Sequence, residues 1–328
     1  MNGTEFPAGL ADASEFGALA ERYRRELHLH CYRMLGSFDD AEDLLQETFF
    51  RGWRARASQA QASPRAWMYR IATNACLDFL RRNARRAYVR QGERTQFVEA
   101  PWMQPYPDAL LDQIGPTEAE PDAVAVKRES IELAFLTAIQ LLPPRQRAAL
   151  LLCDVLEWSA AEVAASLDTS VAAVNSALQR ARATLERQRA RRQLDSAQRT
   201  DPTQEQRALL RKYIEASERS DIEALVALVH EDVLNTMPPH PVFIEGRDAM
   251  RSALLEAFGP EGMGDWRCIA TAANRQLAAA CYVRKPGATE FRVFAIDVLR
   301  FDGERIVEIT TFFPGSGLGA FGLPAVLT

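Results

Sequence analysis

The sequence predicts a multidomain protein, with two all-α domains followed by an α+β domain whose helices pack on a curved antiparallel sheet. Three observations support this prediction. Helical periodicity runs through arginine-rich segments from about 14 to 92 and 127 to 193, the second of these segments contains two short helices joined by a polar turn, and strand-like alternation begins after about residue 230. A chain of 328 residues is long enough for two or three hydrophobic cores.

Net charge and the distribution of apolar residues exclude some classes of protein. The net charge of −5 excludes a protein coated in basic charge, although one domain can still carry a local basic face. There is no run of about 18 apolar residues, and the acidic N-terminus lacks a basic segment before an apolar one. We therefore expect a cytoplasmic protein without a membrane segment.

The cysteine and histidine residues predict neither a disulfide framework nor a metal site. The five cysteines lie far apart without a C-x-x-C pair, which is typical of small buried side chains in a reducing compartment. His28, His30 and Cys31 are too close together on one predicted helix to complete a tetrahedral site without distant partners. We expect no metal and no cofactor.

In the first helical domain, residues 14–92, two helices carry unusual charge. Apolar residues in "FDDAEDLLQETFFRGW" share one helical face, opposite an acidic set that alone is typical of a solvated surface. The helix that starts with Ser63 as N-cap and Pro64 ends in six arginines between 81 and 94, more than its dipole requires, which indicates phosphate contact. Three aromatic residues near them are either core residues or platforms for unpaired bases: Trp67, Tyr69 and Phe79.

The second helical domain, residues 127–193, follows an acidic linker of residues 93–126 with five prolines. Its segment "SAAEVAASLDTSVAAVNSALQRARATL" predicts a helix-turn-helix, with a capping box at Ser159 and Glu162, a left-handed Asp168 and a cap at Ser170. The predicted buried stripe of the second helix is Val171, Val174, Leu178, Ala181 and Leu185. The opposite face is small and then polar or basic, with Arg180, Arg182 and Arg187 placed for phosphates, and it suits a major groove. A plain structural corner is the alternative.

Three segments, "DDAEDLLQETFFRGWR", "SPRAWMYRIATNACLDFLRR" and the stretch from "LPPRQRAALLLCDVLEW" through the helix-turn-helix, resemble sigma domains 2 and 4 of the extracytoplasmic-function (ECF) sigma factors. The resemblance covers about 55% of the chain, in the correct order. It implies contact with the β′ clamp helices of core RNA polymerase through Asp43, Gln46, Glu47 and Phe50. It also implies that the linker either threads a basic polymerase channel or is an unstructured spacer.

The same resemblance implies two DNA-binding surfaces. The residues assigned to the melted minus-ten element are Trp67, Tyr69, Arg70, Asn74, Asp78, Arg81 and Arg82. Those assigned to the minus-thirty-five element are Ser170, Ala172, Asn175, Ser176, Gln179, Arg180 and Arg182. The recognition helix departs from the family at Asn175 and Ala177, where Lys and Arg are frequent, and at Val171-Ala172, where Glu-Gly is frequent. Fewer cationic contacts predict weaker DNA binding and a smaller dependence of the binding constant on salt concentration, which we call the salt slope. These departures also leave the preferred promoter sequence open.

The third domain, residues 203–313, is predicted as an α+β cone. Helices are expected in 203–233 and 246–258, strands near 266–276, 277–285, 291–303 and 304–313, and a hairpin turn at Asp302-Gly303. Its segments "SDIEALVALVHEDV", "MPPHPVFIEGRDAM" and "DGERIVEITTFF" resemble SnoaL-like domains. That resemblance implies that the cone regulates the sigma factor in place of a separate anti-sigma protein.

Four residues are candidates for a ligand pocket in the cone: His240, Asn274, Asp297 and Glu308. Asp297 shares strand parity with apolar residues, so it is either a carboxylate of raised pKa in an apolar cavity or a hydrogen-bonded structural acid. His240, in "MPPHP", has either a loop role or a catalytic one. We expect a binding or regulatory cone without catalysis, with a small molecule as a possible ligand. The apolar tail, residues 314–328, either docks on the rest of the protein or is disordered.

The sequence therefore predicts an alternative sigma factor, not an enzyme, whose partners are core RNA polymerase and promoter DNA and whose third domain modulates its activity. Two alternatives stay open at this stage. One is a ligand-responsive DNA-binding regulator that does not enter polymerase, and the other is a SnoaL-like enzyme fused to a DNA-binding module.

Overall fold

The structure, a computed structural model, describes residues 13–56, 63–83, 103–114, 131–191, 202–238, 240–313 and 316–328. The chain divides into two compact units. The first combines residues 1–87 with 112–195, and the second combines 88–111 with 196–328. Both predicted helical domains fall in the first unit except for residues 88–92, and the cone falls in the second.

The first unit begins with three long helices, α1 (Ala13–Leu35), α2 (Phe38–Ala55) and α3 (Pro64–Arg82). Ser37 caps α2 by accepting a hydrogen bond from the Asp40 amide at 3.1 Å, and acidic residues in the first turn suit the helix dipole. Proline stands at the start of α3, as predicted. The apolar faces of the three helices meet around fully buried Leu27, Leu45 and Met68.

The second helical domain consists of four helices and a π-helical turn. These are α5 (Leu133–Gln140), α6 (Pro144–Leu150), the π-helical segment Leu151–Val155, α7 (Ala160–Ser166) and α8 (Val171–Arg191). The short helix α4 (Asp108–Leu111), in the linker, belongs to the second unit. The capping box of Ser159 and Glu162 is present, and Asp168 adopts the left-handed conformation with φ of 48°. The predicted helix-turn-helix is therefore confirmed in its local geometry.

Buried Arg147 of α6 holds the two helical domains together. Its guanidinium donates to the carbonyl oxygen of Met34 at the end of α1, to the Gln140 side chain, and to the carbonyl oxygens of Gln140 and Leu142 at 2.7 and 3.2 Å. A cation at the C-terminal end of α1 interacts favourably with the helix dipole. Burial lowers the pKa of Arg147 to about 10, so the guanidinium stays charged at neutral pH.

The cone contains three helices and a sheet. The helices are α9 (Gln204–Glu218), α10 (Ile222–Leu228) and α11 (Arg247–Phe258). The strands are β1 (Val229–Met237), β2 (His240–Glu245), β3 (Asp265–Ala273), β4 (Gln276–Arg284), β5 (Phe291–Asp302), β6 (Arg305–Phe312) and β7 (Val326–Leu327). The helices and the inner face of the sheet bury one apolar core that includes Val233, Trp266 and Ile306.

The strand order is β2-β1-β6-β5-β4-β3, and β7 pairs with β5. All pairings are antiparallel except that of β1 with β6, so the sheet is mixed where an antiparallel one was expected. The strands β1, β2 and β7 were not predicted. His240 therefore begins a strand instead of lying in a loop, and the two-residue turn after Asp302 consists of Gly303 and Glu304.

The end of the chain packs on the cone. A 3-10 helix (Ser316–Phe321) precedes β7, which pairs with the start of β5. The Tyr282 hydroxyl donates to the carbonyl oxygen of Pro324 at 2.8 Å, and Arg267 donates to that of Thr328 at 2.7 Å. Of the two possibilities for the tail, the structure therefore has the docked one.

Candidate functional site

One face of α2 presents a stripe that combines acids with an exposed aromatic ring. Asp43, Gln46 and Phe50 are exposed, and Glu47 accepts a hydrogen bond from Arg51 at 2.7 Å. Phe50 is 56% exposed, which is high for a large apolar side chain. Leu44, Leu45 and Thr48, on the opposite face, are buried. We call Asp43, Gln46, Glu47 and Phe50 the docking stripe, because an exposed ring among charged groups is typical of a protein interface.

The predicted minus-ten surface on α3 needs a correction. Trp67 and Tyr69 are buried, 9% and 1% exposed, and the Tyr69 hydroxyl donates to Glu26 at 3.2 Å. The Tyr69 ring also contacts Trp158 edge to face, with ring centroids 6.0 Å apart. Burial raises the pKa of Tyr69. In this conformation neither aromatic side chain is available to stack on a base.

The polar residues of the same helix remain at its surface, but several are paired. Arg70 bonds Asp168 of the helix-turn-helix at 3.2 Å, and Asp78 accepts from Arg51 at 3.1 Å and Arg81 at 2.9 Å. Asn74 is half-buried, and Arg81 and Arg82 are exposed at the end of α3. Four of the six arginines between 81 and 94 lie outside the described residues.

The predicted minus-thirty-five surface on α8 is displayed as a continuous face. Six of its residues are exposed, Ser170, Ala172, Asn175, Gln179, Arg180 and Arg182, and Ser176 is half-buried. Ser170 caps the helix by accepting from the Ala173 amide at 3.1 Å. Val174, Leu178 and Ala181 form the buried stripe as expected.

Three details of α8 differ from the prediction. Val171 is 44% exposed instead of buried, the next two residues of the first turn of α8 are also exposed, and Leu185 is only half-buried. Arg182 is held by Asp154 through two hydrogen bonds, at 2.6 and 3.0 Å. Among the described residues, Arg180 donates only to the neutral Ser176 hydroxyl, at 2.5 Å, so its guanidinium is less strongly held than that of Arg182 and has more freedom to contact a phosphate.

Part of the predicted linker is a structured part of the cone unit. Residues 103–111, which we call the linker segment and which include the short helix α4 (Asp108–Leu111), bury Met103, Tyr106 and Leu111. The main-chain N–H of Tyr106 donates to the side-chain Oδ1 of Asn274 at 2.8 Å. The main-chain N–H of Asn274 donates in turn to the main-chain carbonyl oxygen of Tyr106 at 2.9 Å. The remainder of the linker, 93–102 and 115–126, lies largely outside the described residues.

The β3–β4 turn is shaped to hold this segment. Asn274 and Arg275 both have positive φ, 55° and 60°, as a two-residue hairpin turn of type I′ requires. That geometry directs the main-chain N–H of Asn274 to Tyr106. It also directs the main-chain N–H of Arg275 to Asp108 Oδ1, which lies 2.8 Å away. Asn274 is thus a docking residue for the linker segment and does not line a ligand pocket.

A cavity of about 100 Å³ lies in the cone between the three helices and the sheet. Its walls are mostly apolar, from residues such as Leu225, Met250 and Phe294. Of the four predicted pocket residues, Asp297 alone lines it. His240 is exposed against the ring of Phe313, and Glu308 pairs with Arg300 at 2.9 Å, so both lie elsewhere in the described domain.

The carboxylate of Asp297 is buried and hydrogen-bonded. The Tyr213 hydroxyl donates to Oδ2 at 2.9 Å, the Thr311 hydroxyl donates to Oδ1 at 2.7 Å, and Cys281 Sγ lies 3.4 Å from Oδ2. Burial raises the pKa of Asp297, and these three hydrogen bonds oppose the rise. Burial and the nearby Asp297 raise the pKa of Tyr213.

The polar cavity residues that sequence reasoning missed include Tyr213, Asn235, Trp266 and Thr311. A signal existed for Thr311, since a polar residue in the apolar stretch "EITTFF" lies directly opposite Asp297 in the β5–β6 register. Asn235 donates to Thr311 Oγ1 at 3.3 Å, which extends the polar chain to β1. The other two are aromatic residues whose positions depend on how α9 and β3 meet.

Two negative findings apply to the described part of the chain. No helix there is long and apolar enough to cross a membrane. No three metal-ligating side chains gather there either. His30 Nε2 lies 2.8 Å from the Thr73 hydroxyl, and His28 lies 3.7 Å from Glu42.

The fold and these surfaces define a modular DNA-binding protein of the transcription apparatus, with a fused cavity-bearing domain. Family models match in the same order: Sigma-70 region 2 over residues 19–86, Sigma-70 region 4 over 132–185, and the SnoaL-like domain over 210–309. The chain is 40% identical over 320 residues to the ECF RNA polymerase sigma factor SigG of Mycobacterium tuberculosis, covering 94% of this chain and 84% of that one.

Two further comparisons agree. The ECF RNA polymerase sigma factor SigJ of Mycobacterium tuberculosis is 32% identical over 225 residues, which are 69% of this chain and 64% of SigJ. The crystal structure of SigJ has the same fold, with a TM-score of 0.60, 23% identity, and coverage of 96% of this chain and 100% of SigJ. The chain belongs to the ECF RNA polymerase sigma factors, which bind core RNA polymerase and recognise promoters.

Proposed function

We propose that the chain binds core RNA polymerase through the docking stripe of α2 and reads two promoter elements through α3 and α8. The observation that carries the proposal is the exposed ring of Phe50 within an acidic helix face, on a helix whose other side is buried. Acids on this face suit a basic partner surface, and the ring supplies apolar area at its centre. The protein acts where the polymerase is, in the cytoplasm.

On the DNA side, we assign the minus-thirty-five contacts to the exposed face of α8, with Arg180 as the main phosphate contact. The minus-ten contacts are assigned to the polar residues Arg70, Asn74, Arg81 and Arg82. Trp67 and Tyr69 are buried in the packed form, so they can contact a base only after the two helical domains separate.

The polymerase assignment is tested with Phe50→Ala, because removing the ring leaves the helix intact and deletes the centre of the stripe. We expect about tenfold weaker binding to purified core polymerase and a matching loss of promoter-specific starts on a genomic fragment library. Leu255→Ala is the control, since Leu255 is 51% exposed on α11 of the cone. Equal core affinity for Phe50→Ala and wild type would remove the docking stripe from the proposal.

We further propose that the cone regulates the sigma domains by holding the linker segment. That segment belongs to the only chain connection between α3 and α5, so docking it on the cone limits the path available to the linker. Three main-chain and side-chain hydrogen bonds and three buried side chains hold the segment. Releasing it frees the linker for the polymerase.

Asn274→Gly tests this regulatory role in the full-length protein. Glycine tolerates the positive φ of the turn, so the variant removes the Oδ1 acceptor for Tyr106 without straining the backbone. We expect a several-fold rise in promoter-specific transcription at fixed protein concentration. Ser220→Gly, another left-handed position of the cone, is the matched control. Unchanged output in both variants would count against control through the linker segment.

We also propose that the cone does not catalyse a reaction. Asp297 is the candidate base, but its oxygens already accept from Tyr213 and Thr311 and contact Cys281, and no histidine lines the described cavity. A carboxylate whose oxygens are held by hydrogen-bond donors of the protein is better suited to a structural role than to proton transfer with a substrate. The cavity is thus better suited to binding than to turnover.

A further inference from the structure

Two polar groups of the cone cavity are buried without a hydrogen-bond partner in the described chain. They are Asn235 Oδ1 and Trp266 Nε1. Asn235 is 5% exposed, Trp266 is 6% exposed, and both side chains line the cavity. An unsatisfied buried polar atom costs free energy, and the large majority of buried side-chain polar atoms in folded proteins have a hydrogen-bond partner.

These groups stand out because the other polar groups of the cavity are satisfied. Tyr213, Thr311 and Cys281 bond Asp297, and the Ser217 hydroxyl donates to the Tyr213 carbonyl at 2.9 Å. The open pair consists of one acceptor, Asn235 Oδ1, and one donor, Trp266 Nε1. Mostly apolar walls with a few open polar groups are the usual composition of a small-molecule site.

We propose that this cavity binds a small, neutral, largely apolar molecule with a hydroxyl group, about one ring in size. A hydroxyl fits because it can donate to Asn235 Oδ1 and accept from Trp266 Nε1. The cavity volume of about 100 Å³ is somewhat below the roughly 150 Å³ of an apolar cavity that holds benzene. The side chains of Met237 and Met250 line the cavity and are adaptable enough to make up that difference.

Charge argues for a neutral ligand. No lysine, arginine or histidine lines the described cavity, so an anion would have no counter-charge and would meet the carboxylate of Asp297. A cation would find the Asp297 oxygens already occupied by Tyr213 and Thr311. A neutral alcohol or phenol avoids both costs.

The test uses phenol and fluorobenzene, two probes of similar size of which only phenol carries a hydroxyl. Binding to the full-length protein is measured by ligand-observed NMR titration. We expect phenol to bind about three- to tenfold more tightly than fluorobenzene, the usual effect of one net hydrogen bond. Trp266→Phe and Asn235→Leu should each reduce that preference by about threefold and retain fluorobenzene binding. Trp158→Phe, the same loss of an indole outside the cone, should not change it.

Absence of saturable phenol binding, equal affinity for the two probes, or a full preference in both cavity variants would each overturn the proposal. Should one variant fail to fold, the other variant and the wild-type preference still decide. For its effect on transcription the inference rests on the proposed regulatory function of the cone. Because binding is measured without polymerase, an absence of phenol binding can be distinguished from a negative result in the transcription test of Asn274→Gly.

Discussion

At the scale of single residues, His30 couples the first helical domain to pH. Its ring is 1% exposed and packs edge to face on Tyr69. The Thr73 hydroxyl donates to the Tyr69 carbonyl at 2.7 Å, so it must accept from His30 Nε2, which fixes a neutral ring protonated at Nε2. Burial, and next the nearby Arg33, lower the pKa of His30 to about 3.

The lowered pKa predicts acid sensitivity. Between pH 6.5 and pH 3 the unfolded chain binds a proton at His30 that the folded chain does not, so the free energy of unfolding falls as pH falls. The loss is about 1.4 kcal/mol per pH unit, or about 2 kcal/mol between pH 7 and pH 5. Urea unfolding should show this loss in wild type and a smaller one in His30→Gln. His230→Gln, a half-exposed control, should behave as wild type. Identical pH profiles for His30→Gln and wild type would refute the assignment.

Residues whose roles depend on neighbours in the chain were predictable, and those whose roles depend on distant packing were not. Ser159, Asp168 and Ser170 act within one turn, and the structure places each as expected. The burial of Tyr69 depends on Glu26 and Trp158, which are distant in sequence. Likewise, Asn274 docks a segment that lies 168 positions away.

At the scale of elements, α8 predicts a difference between two neighbouring arginines. Arg180 and Arg182 are both exposed, but Asp154 already holds Arg182. We therefore expect Arg180→Ala to weaken binding to a minus-thirty-five duplex at all sequences and to lower the salt slope by about one. Arg182→Ala should have a smaller effect on both quantities, measured by fluorescence anisotropy across a salt series. The reverse order would contradict the assignment of phosphate contacts.

Most elements of the cone were predictable from periodicity, but the start and the middle of its sheet were not. The sequence of β1, "VHEDVLNTM", is polar at three consecutive exposed positions, so it lacks the alternation that identified β3 to β6. In β5 a bulge inserts Phe294 between residues paired with Cys281 and Tyr282. The bulge interrupts the alternation of side chains between the two faces of β5. As a result, Ala295 and Asp297 line the cavity together with Phe294.

At the scale of the whole molecule, the proposed promoter contacts require the first unit to open. Asp168, in the turn of the helix-turn-helix, lies 3.2 Å from Arg70 on the helix assigned to the minus-ten element. The two promoter elements are about 25 base pairs apart by name, or on the order of 85 Å at 3.4 Å per base pair. On the proposed assignment of α3 and α8, the two helical domains therefore separate before both elements are bound.

Charge reversal at this contact measures the separation. Arg70→Asp places two carboxylates opposite each other without changing the left-handed Asp168, and because an exposed pair contributes little, we expect the ratio of open to packed molecules to rise only about three- to fivefold. The double variant Arg70→Asp with Asp168→Arg restores the attraction and should restore the packed population. Fluorophores introduced through unnatural amino acids at the exposed positions Ala18 and Glu186, both outside the docking stripe, report the distance between the domains by energy transfer. Core polymerase with promoter DNA should shift wild type fully to the long distance, and a distance that stays short in that complex would show that the packed form itself binds promoters.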